Sequence, residues 1–512
     1  MTTIARALGA LLWLVLGAGT GAAFGQQLPN AMERFAGETQ IESQPPLPTH
    51  MELRRAGSTV EASIAMPIGA FEATATERDG RITGRFSGAG GEGDLTLVID
   101  GDRLTGNFTL GEARGTISAE RTLLDAQAFF EPPEEQLDLT TAQWLEDLDH
   151  LAEILTHKHA SPFHRVSRAQ FESAVARARA AIPDLDGMGV AMEFRRLAAL
   201  PGDGHTEVAL PRAQQRLPVE FFWFEDGLKV VGISVAHRRH LGSRLVAVNN
   251  VPVAQVVEQL RAFIPAGETE WFIREGMPGL LSNPDILATA GIGNVPSVTL
   301  AVEAATGERD TIELAAAPDA AEQALLNGEM PLWRRHATQG FWTAPLADGS
   351  VYVNWRSYDQ LADHAAALLH DLDATHPRRL IVDLRDNTGG DYNAGRALID
   401  EIRRRPWLDQ AGVLYVLVGR ATFSAAMTNA ADFKTTTTAV LVGEPAGAAP
   451  NSWQEVRHFT LPNSGLRVGV STLHYEFLPG AAELRPDLVV PPEPADWGAE
   501  LDGAVELILS QP

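Results

Sequence analysis

The period of hydrophobic and polar positions changes several times along the chain. Near residues 51 to 122, apolar and polar residues alternate in short runs such as "TVEASIAM", "FEATATER" and "DLTLVID", punctuated by Gly, Asp and Asn. That pattern predicts a small antiparallel β domain, residues 26–128, with "FFEPPEEQ" as a linker. From about 140 to 200 the period becomes 3.6, in "TAQWLEDLDHLAEILTHKH" and "RAQFESAVARARAAI", so residues 129–212 are expected to be helical and to end in a "GDGHT" loop. Strand-like runs return over 213–317 ("LKVVGISV", "SRLVAVNNVPV", "SVTLAVEA"), with one helix at "AQVVEQLRAF". Beyond 318, apolar strands ("SVYVNW", "RRLIVDL", "GVLYVLVG", "TAVLVGEP") alternate with helices. This predicts an α/β core with a largely parallel sheet, within an α/β multidomain chain.

The first 25 residues have a different pattern. Arg6, the apolar stretch "ALGALLWLVLGAG" and the small-x-small end Ala23-Phe24-Gly25 predict a secretory signal, with an exported, periplasmic or secreted, product. The apolar run is shorter than the ~20 residues of a spanning helix, and no membrane span is expected after signal removal.

Composition narrows the chemistry. The chain has 512 residues, 45% of them hydrophobic, which is too long for one core and too apolar for extensive disorder. The absence of cysteine excludes disulfides, thiol nucleophiles and thiolate metal sites. A formal net charge of -25 argues against nucleic acid or anionic lipid as partner. No G-x-S-x-G or H-E-x-x-H motif occurs. "HKH" at 157–159 and "HRRH" at 237–240 lack a carboxylate at ligand spacing and read as solvated residues, so neither metal nor cofactor is expected. Asp386 and Asp391, which flank a Gly-Gly pair, could form a carboxylate dyad, but loop carboxylates are usually solvated.

Ser424 falls where the strand "GVLYVLVGR" gives way to the helix "SAAMTNAADF". A strand-to-helix junction at the carboxyl edge of an open α/β sheet is where such sheets place their sites, and the free N–H groups of a helix start can hold an oxyanion. Taken alone, Ser424 is better explained by an N-cap role. "VDLRDNTGGDYNAG" ends another apolar strand, and its Gly389 and Gly390 let the backbone approach a ligand.

Together these segments resemble the S41 peptidase family, which includes tail-specific processing proteases, tricorn-like proteases and the repeats of retinoid-binding proteins. The "DLRDNTGG" loop, Ser424 and the "GEP" strand end match its pattern, with Glu444 twenty residues beyond Ser424. The resemblance spans about 150–512 and implies a helical segment, a PDZ-like module over 213–317 and an α/β peptidase core of ClpP/crotonase-like type. A PDZ-like module of this kind can capture substrate C-termini, although "LPVEFFWFEDGLKVV" has no clear G-x-G loop.

One departure bears on the mechanism. Tail-specific members carry a lysine base where this chain has Ala449, and the three lysines here are Lys158, Lys229 and Lys434. Lys434 lies roughly 15 Å down a helix from Ser424 at 1.5 Å per residue, beyond reach of the serine proton. "GDGHT" matches the histidine-using branch, which makes His205 the implied base. By the same resemblance Glu483 would orient the imidazole, with Glu476 and Asp203 as alternatives, and Gly389, Gly390 and Ala425 would form the oxyanion hole. Some tricorn-like members have serine before the histidine; here it is Gly204. The implied activity is peptide-bond cleavage, with peptides or unfolded proteins as substrates. The alternative is a non-catalytic binding protein, for apolar ligands or envelope partners, on the same architecture.

Overall fold

The computed structural model describes residues 32–511 except 42–46, 67–68, 89–90, 111–112, 123–125, 131–133, 212–214, 294–295, 317–324 and 328–329. The expected leader and the boundaries at 212/213 and 317/318 lie outside the described residues. The chain divides into two compact units, Met1–Pro132 and Pro133–Pro512.

In the first unit the alternating runs become eight antiparallel strands, Glu33–Ile41 through Ala113–Arg121. The last strand pairs with the first, for example Thr39 with Ile117, so the sheet closes into a barrel. Closure leaves no edge strand unpaired, and the inward set of each strand (Phe35, Met51, Leu53, Val60, Phe71, Ile82, Leu97, Leu104) fills the interior. Within the barrel wall, buried Thr49 donates to Thr39 at 2.7 Å.

The second unit opens with three helices, Thr141–His157, Arg168–Ala181 and Gly187–Ala198. Capping boxes at Thr140 and Ser167 start the first two. A mostly antiparallel sheet follows, including Val219–Phe224, Gly227–Ser234, Arg244–Val248, Ser297–Glu303 and Arg309–Ala315, with helices Val253–Leu260 and Glu270–Leu281. Its apolar face and the three helices share one core.

The second sheet of this unit comprises β1 (Phe341–Pro345), β2 (Val351–Trp355), β3 (Leu380–Asp383), β4 (Leu414–Val418) and β5 (Val440–Gly443). A hairpin, β6 (Asn451–Thr460) and β7 (Arg467–Glu476), precedes the short β8 (Leu488–Val489). β1 runs antiparallel to β2, whereas β2, β3, β4, β5 and β8 are parallel in that order. β3 and β4 are buried at every residue, which explains why they read as unbroken apolar runs. Beneath this sheet the buried Arg385 side chain forks onto Asp502 (2.9 Å to each oxygen) and onto Asp383 (2.6 Å). The C-terminal helix Gly503–Ser510 is thereby tied to the strand that leads to the Gly-Gly loop.

Candidate active site

Three loops meet at the carboxyl ends of adjacent parallel strands: residues 384–391 after β3, 419–423 after β4 and 444–450 after β5. Parallel strands end on the same edge, so residues far apart in sequence are delivered to one place.

Ser424 opens the helix Ser424–Thr436 but is not its N-cap; that position is Phe423, which is extended. Ser424 itself has φ of 48°, a left-handed conformation that costs a non-glycine residue of order 1–3 kcal/mol. The loops around it hold it there. Phe423 donates its N–H to the Asn387 carbonyl at 3.1 Å, and the Thr422 hydroxyl donates to the Leu384 carbonyl at 2.8 Å. Buried Asn387 in turn donates to the Trp355 carbonyl (2.9 Å) and accepts the Gly389 N–H (2.9 Å).

Gly389 and Gly390 both occupy conformations that favour glycine, with φ of 109° and 155°. A methyl group at Gly389 would lie 2.6 Å from the Ser424 Cβ and 3.0 Å from the Ala425 nitrogen. The structure therefore brings Ser424, Gly389 and Ala425 together. Because the Gly389 N–H is already donated to Asn387, Gly390 is the better placed of the two glycines to offer a donor.

His205 reaches this region from the helical segment. Its loop is pinned by short strand Glu207–Val208, which pairs with β7 through Val208–Val468 and Glu207–Gly469. The imidazole packs against Phe423, the residue before Ser424, with ring centroids 4.5 Å apart and planes tilted by 33°. Phe423 also stacks on Phe272 at 5.2 Å. Both ring nitrogens of His205 are buried without a hydrogen-bond partner of good geometry. Burial pushes the imidazole pKa down, opposed by the charges of Asp203 and Glu455 and by the nearby Trp453 main chain. The ring is thus favoured in its neutral, proton-accepting form.

Gly204 follows from the same packing. A side chain there would meet the Phe423 and Phe272 rings at 2.8 and 2.9 Å, so a serine before the histidine has no room.

Asp203 does not touch the imidazole. One oxygen accepts the His205 main-chain N–H at 3.1 Å and the Ser471 hydroxyl, and the other accepts His159 Nε2 at 2.7 Å. Burial raises its pKa, but these donors outweigh burial and leave it lowered. His159, expected to be solvated, is instead buried against this carboxylate.

Glu483 is not brought to His205. One oxygen accepts Trp271 Nε1 at 3.1 Å and the other accepts Arg485 at 2.7 Å, which leaves it turned toward the helix Glu270–Leu281. Glu476 ends β7 and is exposed. The carboxylates whose charge reaches His205 are Asp203 and Glu455. Glu455 stands in β6 between the paired residues Gln454 and Val456 with φ of 56°, and nothing local in the sequence singles it out.

The remaining expectations resolve readily. Asp391 caps helix Tyr392–Arg403, while Asp386 lies 3.6 Å from Arg334, so the two do not form a dyad. Lys434 Nζ donates to the Asp487 carboxylate and, at 3.3 Å, to the Arg485 carbonyl, and is committed away from Ser424. Among the described residues no cluster of three metal-ligating side chains occurs, and no helix is long and apolar enough to cross a membrane.

At the sequence level no family model and no curated relative matches the chain. Solved structures do match. Mature CPAF complexed with lactacystin superposes with a TM-score of 0.51 at 13% identity, covering 72% of this chain and 97% of that one. A mutant form of CPAF gives 0.50 at 13% identity, with 73% and 98% covered. The chain therefore shares the fold of CPAF over these residues. A putative S41 protease from Bacteroides fragilis also matches, over 54% of this chain and 75% of that one, at 13% identity and a TM-score of 0.27. In this fold the Gly-Gly loop, the serine-headed helix and the "GEP" turn follow neighbouring parallel strands.

Proposed function

We propose that the protein is an exported serine peptidase that cleaves peptide or unfolded protein substrates through an acyl-enzyme. The observation that carries this is Ser424, held in a strained conformation at a helix start with Gly389 against its Cβ and the His205 ring packed on the residue before it. Strain of this kind persists where the surroundings over-determine it, as they do at reacting centres.

In this reading neutral His205 takes the Ser424 proton as the oxygen attacks the scissile carbonyl. The N–H groups of Gly390 and Ala425 hold the oxyanion, each worth on the order of 3 kcal/mol in the transition state. The protonated imidazole gives its proton to the leaving amine, and water attacks the acyl-enzyme by the reverse route. The charges of Asp203 and Glu455 favour the imidazolium that forms, in place of a directly bonded third residue. The sheet over 219–315 acts as a PDZ-like module that presents substrate to the site.

The test is labelling of the purified mature protein with a fluorophosphonate across pH 5 to 9, with the adduct located by mass spectrometry. An adduct on Ser424 that rises through neutral pH and vanishes in both Ser424→Ala and His205→Ala supports the reading. An unlabelled wild type at every pH overturns it.

A further inference from the structure

Glu268 precedes the helix Glu270–Leu281, outside every motif discussed above. Its two carboxylate oxygens bridge two of the loops that build the site. Oε1 accepts the N–H of Gly204, beside His205, at 3.0 Å, and Oε2 accepts the N–H of Ala449, in the turn after β5, at 2.6 Å. The next residue repeats the connection, because the Thr269 hydroxyl lies 3.1 Å from the Ala446 carbonyl and 2.8 Å from that of Gly447. Just before it, the Gly267 carbonyl accepts from Arg165 at 3.0 Å. Segment 267–269 therefore joins the histidine loop to the end of β5 at the position where a lysine base is replaced by Ala449.

We propose that Glu268 is a positioning residue, whose carboxylate clasps the His205 loop to the Ala449 turn and so sets the imidazole against Ser424. The proposal rests on the serine peptidase reading above. A carboxylate suits this place because both facing groups are N–H donors. A carboxylic acid keeps one accepting oxygen, but its hydroxyl meets the second donor poorly. Taking up a proton thus slackens one limb of the clasp.

The surroundings make that proton uptake accessible near neutrality. Glu268 retains some solvent contact as a residue, yet protein encloses its carboxylate. Burial raises its pKa, to about 7, against the pull of the Ala449 and Gly204 N–H groups; Asp203 raises it further and Arg165 lowers it. Asp203 comes from the histidine loop and Arg165 from the segment before helix Arg168–Ala181, while the Ala446–Ala449 turn contributes no charge. His205, by contrast, is lowered from 6.5, so its own loss of a proton is complete at lower pH.

Two ionisations then shape reactivity, and the experiment separates them. Fluorophosphonate labelling rates of wild type, Glu268→Gln and Glu268→Asp are measured from pH 5 to 9, with folding checked by thermal unfolding. Wild type is expected to rise on a limb near 7. Glu268→Gln, which presents an amide donor to one of the two N–H groups, is expected to label roughly tenfold more slowly, the factor that a 1.4 kcal/mol misplacement produces. Its remaining limb should move below 6.5, where His205 alone titrates. Glu268→Asp keeps the charge without the reach, so it should be slow while retaining a limb near neutrality; it decides the matter if the glutamine variant does not fold. A folded variant with the rate and pH profile of wild type overturns the role of Glu268 and leaves the peptidase reading intact. Wild type that never labels overturns that reading, and the positioning role with it.

Discussion

Gly389 lies so close to Ser424 that a single added methyl group would stand 2.6 Å from the serine Cβ. The contact joins the loop after β3 to the Ser424 helix after β4 and leaves space only for backbone between them. Gly389→Ala, which also meets a φ of 109°, is expected to cut Ser424 labelling roughly 100-fold or more by displacing the oxyanion donors. Labelling kinetics on the folded variant check it, and an unchanged rate would remove the loop from the site.

Gly204 makes the corresponding prediction on the histidine side. Gly204→Ser places a side chain into the Phe423 and Phe272 rings, so it should destabilise by about 1–3 kcal/mol and slow labelling. Urea denaturation and labelling rate read the two effects; neutrality in both would show that the aromatic stack does not hold His205.

Lys434 is expected to be dispensable for chemistry. Its partly exposed pair with Asp487 contributes at most about 1 kcal/mol, so Lys434→Ala should label Ser424 at the wild-type rate. Loss of labelling in that variant would reinstate a lysine base.

Asp502→Ala should be among the most damaging changes remote from the serine. It strips a buried Arg385 of its bidentate partner, and removal of one member of a buried pair costs about 3–5 kcal/mol. A denaturation midpoint that falls with an unchanged slope is the expected result.

Stability should also depend on pH through Glu268. Its folded pKa is raised, so the stability it contributes is fully present below its unfolded value of 4.5 and lost as pH rises through about 7. Relative to Glu268→Gln, wild type should lose at most about 3 kcal/mol between those limits, less where solvent reaches the carboxylate. Denaturation at pH 4.5, 6 and 8 measures the slope; parallel curves for the two proteins would mean that the carboxylate ionises normally.

Local sequence made much of this legible. Ser424, Gly389 and Gly390 stand out as candidates because a strand-to-helix junction and a glycine pair are written in consecutive residues, and His205 because of a five-residue motif. The partners of Glu483, Trp271 across more than two hundred residues and Arg485 two residues on, are not legible in sequence because they depend on how distant elements pack. Glu268, Glu455 and Phe423 had no local signal at all. Their importance lies in what they face, which period and spacing do not encode.

What the sequence determined by itself is the succession of elements and the residues that end them: alternation for the barrel strands, a 3.6 period for the helices, and apolar runs closed by Gly-Gly or Ser for the core. These follow from backbone geometry and burial along one segment at a time. Tertiary structure alone decided that the first eight strands close on themselves, that Asp203 holds the main chain of His205 and the ring of His159, and that one carboxylate from residue 268 clasps residues 204 and 449. The two contacts of Glu268 span 64 and 181 residues of chain, and only the packing of the whole unit brings their donors and acceptors within 3.0 Å.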